Sequence, residues 1–188
     1  LAGVNFSLYF LVWKKRSLLV LWRDLEARVY FPLMIGSVLL IAAFLSWHGV
    51  YPTFWESLRH AAFNVVSIAT TTGFATVDYA QWPIFAPVTM LFLCSFATCA
   101  GSTGGGIKLI RSLLLHKQAQ RELTRIVHPR AVVPVTLGGA VVPNQVLASV
   151  QAFMLIYGSV MVVVTMLLLF SGLDLITAST AAIACIKI

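Results

Sequence analysis

The chain has 188 residues, 60% of them apolar and 10% charged, with a mean hydropathy of +0.92 and a formal net charge of +7. A water-soluble domain carries about 25% charged residues, so a soluble core does not account for this composition, whereas a bilayer does. The positive balance would suit a nucleic-acid partner if the basic residues formed an aromatic-basic reading surface, but they sit in short patches between apolar segments, the pattern of membrane orientation.

In chain order, Leu1 to Trp13 is apolar and reads as the end of a membrane helix. The chain opens on leucine inside an apolar run, without the pattern of a cleaved secretory leader, and the expectation is a piece of a longer protein. A basic patch follows, with Lys14, Lys15, Arg16, Arg23 and Arg28 around Asp24 and Glu26. Tyr30 to Trp47 is then an apolar stretch close to the roughly 20 residues that a bilayer core requires. Tyr51, Pro52 and Trp55 fall where an aromatic belt is expected. Thr53-Phe54-Trp55-Glu56 has the form of a capping box, opening a helix to about Ala69. Glu56, Arg59, His60 and Asn64 make that helix too polar to face lipid. It ends in Thr70-Thr71-Thr72-Gly73, followed by the turn-rich, interfacial set Asp78, Tyr79, Trp82 and Pro83.

Pro83 opens a second long apolar run to Ile110, about 42 Å if helical. The glycines and hydroxyls of Gly101-Ser102-Thr103-Gly104-Gly105-Gly106 break it, because they do not sustain a helix. Beyond lie Lys108, Arg111, Lys117, Arg121, Arg125 and Arg130, and then a short apolar stretch, Ala131 to Pro143, that suits no element clearly. Val146 to Phe170 is a third span. Gly172 and Asp174 turn the chain into a small-residue helix, Leu175 to Cys185. Of the 13 Lys and Arg residues, five lie within 14–28 and six within 108–130. That excess places both patches in the cytoplasm and the segments 51–82 and 171–174 outside. The result is helix, re-entrant half-helix, helix, with the same order beginning again at Val146.

Thr70 to Phe74 is where the chemistry concentrates. Backbone that leaves a helix at membrane depth must be buried in protein or line a watery cavity. This segment follows the C-terminal, negative end of a short helix, which favours a dehydrating cation. Threonine adds hydroxyl oxygens to the backbone carbonyls, and Gly73 permits the positive φ that turns carbonyls inward. A plain external threonine-rich loop is the rival, weakened by the spans on either side. Gly101 to Lys108 only approximates a phosphate-binding loop, since Ile107 stands where that motif has lysine. Lys108 and Arg111 read as snorkelling charges at the inner face, with Lys108 also able to place a barrier under the break. Cys94, Cys99 and Cys185 match no zinc or redox spacing, and His48, His60, His116 and His128 match no metal-binding one. Nothing converges as acid, base or nucleophile, so no enzyme and no cofactor are expected.

The segment Ser67-Ile68-Ala69-Thr70-Thr71-Thr72-Gly73-Phe74 resembles the third pore loop of the TrkH family, within the Trk/Ktr/HKT potassium transporters. Gly101-Ser102-Thr103-Gly104-Gly105-Gly106-Ile107-Lys108 resembles that family's intramembrane loop, which gates beneath the filter. The resemblance implies an all-α membrane protein of helix–pore loop–helix repeats, here a partial set. Residues 1–13, with Ala2-Gly3-Val4-Asn5-Phe6, are the end of an inner helix and 14–29 a cytoplasmic loop. Residues 30–117 are a complete repeat, 118–145 a cytoplasmic segment, and 146–188 the first helix and pore helix of the next repeat. It implies potassium uptake through a filter in which Thr70, Thr71, Thr72 and Gly73 bind K+ and Phe74 closes the segment. Gly101, Ser102, Thr103, Gly104, Gly105 and Gly106 form the gate. The implied setting is a bacterial inner membrane, crossed several times. The implied partners are K+, the bilayer, a second copy of the parent protein and a cytosolic nucleotide-binding regulatory subunit, with no nucleic acid. Where the family carries a fourth filter rich in Asn, Gly and Pro, this chain has Cys185-Ile186-Lys187-Ile188, and a non-conducting anchor or partner-binding piece is the alternative for the isolated chain.

Overall fold

The computed structural model describes residues 3–17 and 19–187, so Leu1, Ala2, Leu18 and Ile188, together with any expectation placed on them, lie outside the described residues. Chain contacts divide the protein into two units, Leu1–Leu109 and Ile110–Ile188.

In the first unit, α1 spans Phe6–Lys15, and its start is capped by Asn5, whose Oδ1 accepts the Ser7 N–H at 2.9 Å. Gly3 to Asn5 are turn residues and not part of a helix, so the apolar opening does not run on as one continuous helix. Lys14 and Lys15 lie in the last turn, where the helix dipole favours cations. The short α2 (Leu19–Arg23) leads into α3 (Leu25–Trp47), 23 residues or about 35 Å. This helix starts before the expected Tyr30, because Asp24 caps it by accepting the Ala27 N–H at 2.9 Å. The supposed loop 14–29 is thus partly helical, and Glu26 lies in the first turn of α3.

Helix α4 (Phe54–Ala69) begins where the capping signal places it, with Thr53 Oγ1 accepting the Glu56 N–H at 3.3 Å. At 16 residues, about 24 Å, it is too short to cross a bilayer core of about 30 Å. It packs most extensively against α3 and next against α5 (Phe85–Phe96). Ile41, Ala42 and Leu45 of α3, Ala61 and Val65 of α4, and Met90 of α5 build a core with essentially no exposed surface. Between α4 and α5 the chain makes a single 3₁₀ turn, Tyr79–Gln81, capped by Asp78. The apolar run from Pro83 breaks at Ala97, four residues ahead of Gly101. The cause is pairing across the loop and not local glycine content. Thr98 forms a parallel bridge with Lys108, the Leu109 N–H donates to the Thr98 carbonyl at 2.7 Å, and the Ile107 N–H donates to the Ser95 carbonyl at 3.0 Å. The two ends of the loop are thereby stitched side by side.

Helix α6 (Leu109–Val127) runs without interruption through the boundary expected at residue 117 and leads into the second unit. The unassigned stretch after it holds a two-stranded antiparallel hairpin, β1 (Thr136–Leu137) and β2 (Ala140–Val141), turned by Gly138 and Gly139 at φ +57° and +89°. Both positive angles are those of the two-residue turn that matches strand twist. The hairpin closes on a small cluster of Leu114, Val135 and Leu147. Lys117 donates to the Thr136 carbonyl at 2.6 Å, and Arg111 lies 4.0 Å over the Phe153 ring. Helix α7 (Asn144–Phe170) leaves all of its surface beyond Leu147 at least partly exposed. Gly172, at φ +92°, turns the chain into α8 (Leu175–Lys187). Asp174 accepts the Thr177 N–H there, and hydrogen bonding from Thr177, side chain first, holds its carboxyl below the ordinary range. Among the described residues, α3 and α7 are the two helices long and apolar enough to cross a membrane.

Candidate functional site

The end of α4 is a Schellman motif built without glycine. The Thr72 N–H donates to the Ser67 carbonyl at 2.8 Å and the Thr71 N–H to the Ile68 carbonyl at 3.1 Å, the paired bonds that define this terminus. The motif needs a left-handed residue between them, and Thr71 supplies it at φ +59°. A β-branched residue there is strained. Its own hydroxyl donates to the Thr70 carbonyl at 2.6 Å, which helps to hold the conformation. Thr70 is buried, its hydroxyl donates to the Val66 carbonyl at 2.7 Å, and Thr70 Oγ1 lies 2.8 Å from Thr72 Oγ1. Two of the three threonine hydroxyls therefore bind backbone oxygens in this chain. From Thr72 to Ala75 the backbone is irregular, with Gly73 at φ +83° and Phe74 70% exposed. The segment lines an open groove of about 1100 Å³ together with Arg59, His60, Phe63 and Val66 of α4.

The return from this segment is tied to α4 by Asn64, a residue with no exposed surface. Its Nδ2 donates to the His60 carbonyl at 2.8 Å and to Thr76 Oγ1 at 3.1 Å, and its Oδ1 accepts the Thr76 N–H at 3.3 Å. Tyr51 stacks on His60 with ring centroids 4.8 Å apart and accepts the Trp82 indole N–H at 3.2 Å. A buried carboxamide facing both a donor and an acceptor of one threonine fixes the register of the segment against its helix.

The glycine-rich loop meets the same turn from the other side. A Cβ placed on Gly104 would lie 2.5 Å from Thr98 Cγ2 and 3.5 Å from Thr71 Oγ1, so only glycine lets the loop approach this closely. Gly101 and Gly106 have φ of +72° and +82°. Thr98 Oγ1 donates to the Gly105 carbonyl at 3.1 Å. The Lys108 ammonium folds back onto the Ser102 and Gly104 carbonyls. The sequence reading of Lys108 as a snorkelling charge passes over this fold-back. Gly3 approaches Tyr30 and Thr70 so closely that a Cβ there would overlap the Tyr30 hydroxyl.

Every residue expected at a filter or gate therefore falls in one region of the first unit: Thr70 to Phe74 at the end of α4, and Gly101 to Gly106 beside it. The sequence reading passed over Thr71 as the left-handed residue, Asn64 and Thr76 as the tie, and Glu26, whose carboxylate accepts the Ala100 N–H. For Asn64 the signal was present, an amide on the buried face of a half-helix. For Glu26 it was not, because the partner lies 74 residues away.

A half-helix ending in irregular backbone, packed between α3 and α5, defines the class: a helical membrane-transporter module with a pore loop. The TrkH family profile, described as a cation transport protein, matches residues 1–186, and the chain belongs to that family. It is 40% identical over 184 residues to the Trk system potassium uptake protein TrkH of Salmonella typhimurium, covering 98% of this chain and 38% of that protein. It is 36% identical over 188 residues to the Trk system potassium uptake protein TrkG of Escherichia coli K12, again covering 38% of it. The crystal structure of the potassium transporter TrkH from Vibrio parahaemolyticus superposes with a TM-score of 0.90 at 38% identity, over 97% of this chain and 40% of that one. The chain thus spans about two fifths of the length of these relatives.

Proposed function

We propose that this chain is part of a potassium uptake protein, in which Thr70 to Phe74 form one strand of a selectivity filter and Gly101 to Gly106 form a gate on its inner side. The observation that carries the reading is the left-handed backbone at Thr71 and Gly73, set on the negative end of α4, with Gly104 beside the Thr71 side chain. Carbonyls at the end of a helix suit a cation with little preference for directional ligands. One strand supplies only part of a coordination ring. The remaining oxygens come from other repeats of a longer parent protein, as the lengths of the relatives suggest. We assign residues 30–117 to one repeat and 146–188 to the start of the next, with 14–29 and 118–145 on the cytoplasmic side. The parent crosses a bacterial inner membrane several times, pairs with a second copy and answers to a cytosolic nucleotide-binding subunit. No covalent step is involved.

The test is Gly73→Ala in the full-length parent. No atom of this chain lies within 4 Å of a Cβ at this position, so within the chain the substitution acts through its positive φ, at about 1–2 kcal/mol. Discrimination between K+ and Na+ in an uptake assay should fall while membrane abundance holds. Unchanged discrimination would remove Gly73 from the filter.

A further inference from the structure

Ala100 directs its N–H at both carboxylate oxygens of Glu26, at 3.1 and 3.2 Å. Glu26 is 6% exposed and lies in the first turn of α3, two residues after the Asp24 cap. An ionisable side chain buried in a membrane protein is costly to keep unless it has work to do there.

The bonds of the loop fall into two sets. Its shoulder is held from outside: the Cys99 N–H donates to the Gly3 carbonyl at 2.9 Å, Ala100 to Glu26, and the Phe6 N–H to the Gly101 carbonyl at 3.2 Å. Asn5 also packs against Gly101. At the tip, Thr98 and Lys108 hold the loop's own carbonyls at Ser102, Gly104 and Gly105. The tip lies near Thr71, while the shoulder is fastened to Gly3 and Phe6, ahead of the basic stretch 14–28, and to Glu26, at the start of α3 within it. Of these fastenings Glu26 is the side chain whose helix continues directly from that stretch, through α2 and the Asp24 cap.

We propose that Glu26 is the positioning residue of the glycine-rich loop. Its carboxylate latches the loop shoulder to the start of α3, so that displacement of the basic residues ahead of that helix, Lys14 to Arg23, reaches the tip near Thr71. This rests on the reading of Gly101 to Gly106 as a gate.

The experiment uses the full-length parent with a cysteine introduced at the exposed Thr103, labelled in inside-out vesicles by an impermeant thiol reagent, alongside rubidium uptake. The same protein without the introduced cysteine is the background. Glu26→Met keeps the side-chain length but removes the acceptor, and Glu26→Gln keeps an acceptor without charge. Glu26→Met should label about tenfold faster, the equivalent of ~1.4 kcal/mol, with Glu26→Gln between it and the native protein. Rubidium uptake should rise in the same order at constant membrane abundance. Removing residues 103–105 should raise uptake by itself, and Glu26→Met should then add nothing. Faster labelling without greater uptake supports the latch and overturns the gate. Labelling and uptake both unchanged in Glu26→Met, at normal abundance, overturn the latch whatever the deletion does. If Glu26→Met fails to reach the membrane, Glu26→Asp, one methylene short of Ala100, makes the same comparison.

Discussion

Gly104 lies against Thr71, close enough that a Cβ on the glycine would stand 3.5 Å from the threonine hydroxyl and 2.5 Å from Thr98 Cγ2. The turn at Thr71, the proposed filter, and the glycine-rich loop are therefore neighbours, and a side chain added at Gly104 would reach both Thr98 and that turn. The tight partner is a methyl group on a β-branched side chain with little rotamer freedom. Gly104→Ala should destabilise the full-length parent by about 1–3 kcal/mol, the range for overpacking, and alter K+ flux. Thr98→Ser removes the obstructing methyl while keeping a hydroxyl for the Gly105 carbonyl. The double variant should recover most of the melting temperature in detergent. Equal losses in the single and double variants would mean that the loop does not rest on Thr98.

Thr71 combines a left-handed backbone with a hydroxyl that donates to the Thr70 carbonyl. These two properties separate by substitution. Thr71→Val keeps the β-branched strain and deletes the hydrogen bond, which should cost about 1 kcal/mol. Thr71→Gly also deletes the bond but relieves the strain, which offsets the loss and the greater freedom of the unfolded glycine. Thermal unfolding should therefore rank valine clearly below glycine, with glycine close to the native protein. The reverse order would show that the left-handed conformation carries no strain.

What could be read from the residues was local. Thr53 with Glu56 marked the start of α4, and the threonine run with Gly73 marked its end. Gly172 marked the end of α7, and the long apolar runs marked α3 and α7. Each of these is set by neighbours a few residues apart. The features that were not legible depend on partners far along the chain. The break at Ala97 is set by Thr98 meeting Lys108, and the fold-back of the Lys108 ammonium by carbonyls that point its way only once the loop has closed. Glu26 looked like one more charge in a basic patch because Ala100 lies 74 residues on. Gly138-Gly139 was a turn signal in plain view, but its strands are two residues each, too short for alternation to show. Thr71 is the instructive case: a Schellman terminus is read from glycine, and here threonine occupies the position.

The proposed orientation rests on charge. Eleven of the 13 Lys and Arg residues lie in two patches, 14–28 and 108–130, and positive residues are retained on the cytoplasmic side. Cysteines introduced at Gln81 and Gln120 of the full-length parent should then behave oppositely towards an impermeant reagent applied to intact cells. The Gln81 site should label and the Gln120 site should label only after permeabilisation. External labelling at Gln120 would invert the topology and place the glycine-rich loop on the outer side of the proposed filter.

Asn64 gives the sharpest separation between holding the proposed filter and forming it. Its carboxamide makes two donated bonds and one accepted bond, all to His60 and Thr76, and none to Thr70 through Phe74. Asn64→Asp keeps the shape and the acceptor but forfeits both donated bonds and buries a carboxylate beside the His60 carbonyl. Lost bonds of this kind cost about 1–3 kcal/mol where a buried partner is left unsatisfied, and the charge adds to that. Asn64→Ala loses all three bonds but leaves no charge. If Asn64 works by fixing the return segment, both variants should lower the melting temperature, with aspartate at least as damaging as alanine. K+ over Na+ selectivity should fall in proportion, because Thr76 is three residues beyond Gly73 on the same irregular segment. A variant that loses stability but keeps full selectivity would confine Asn64 to the fold and leave the filter geometry to the Schellman turn alone.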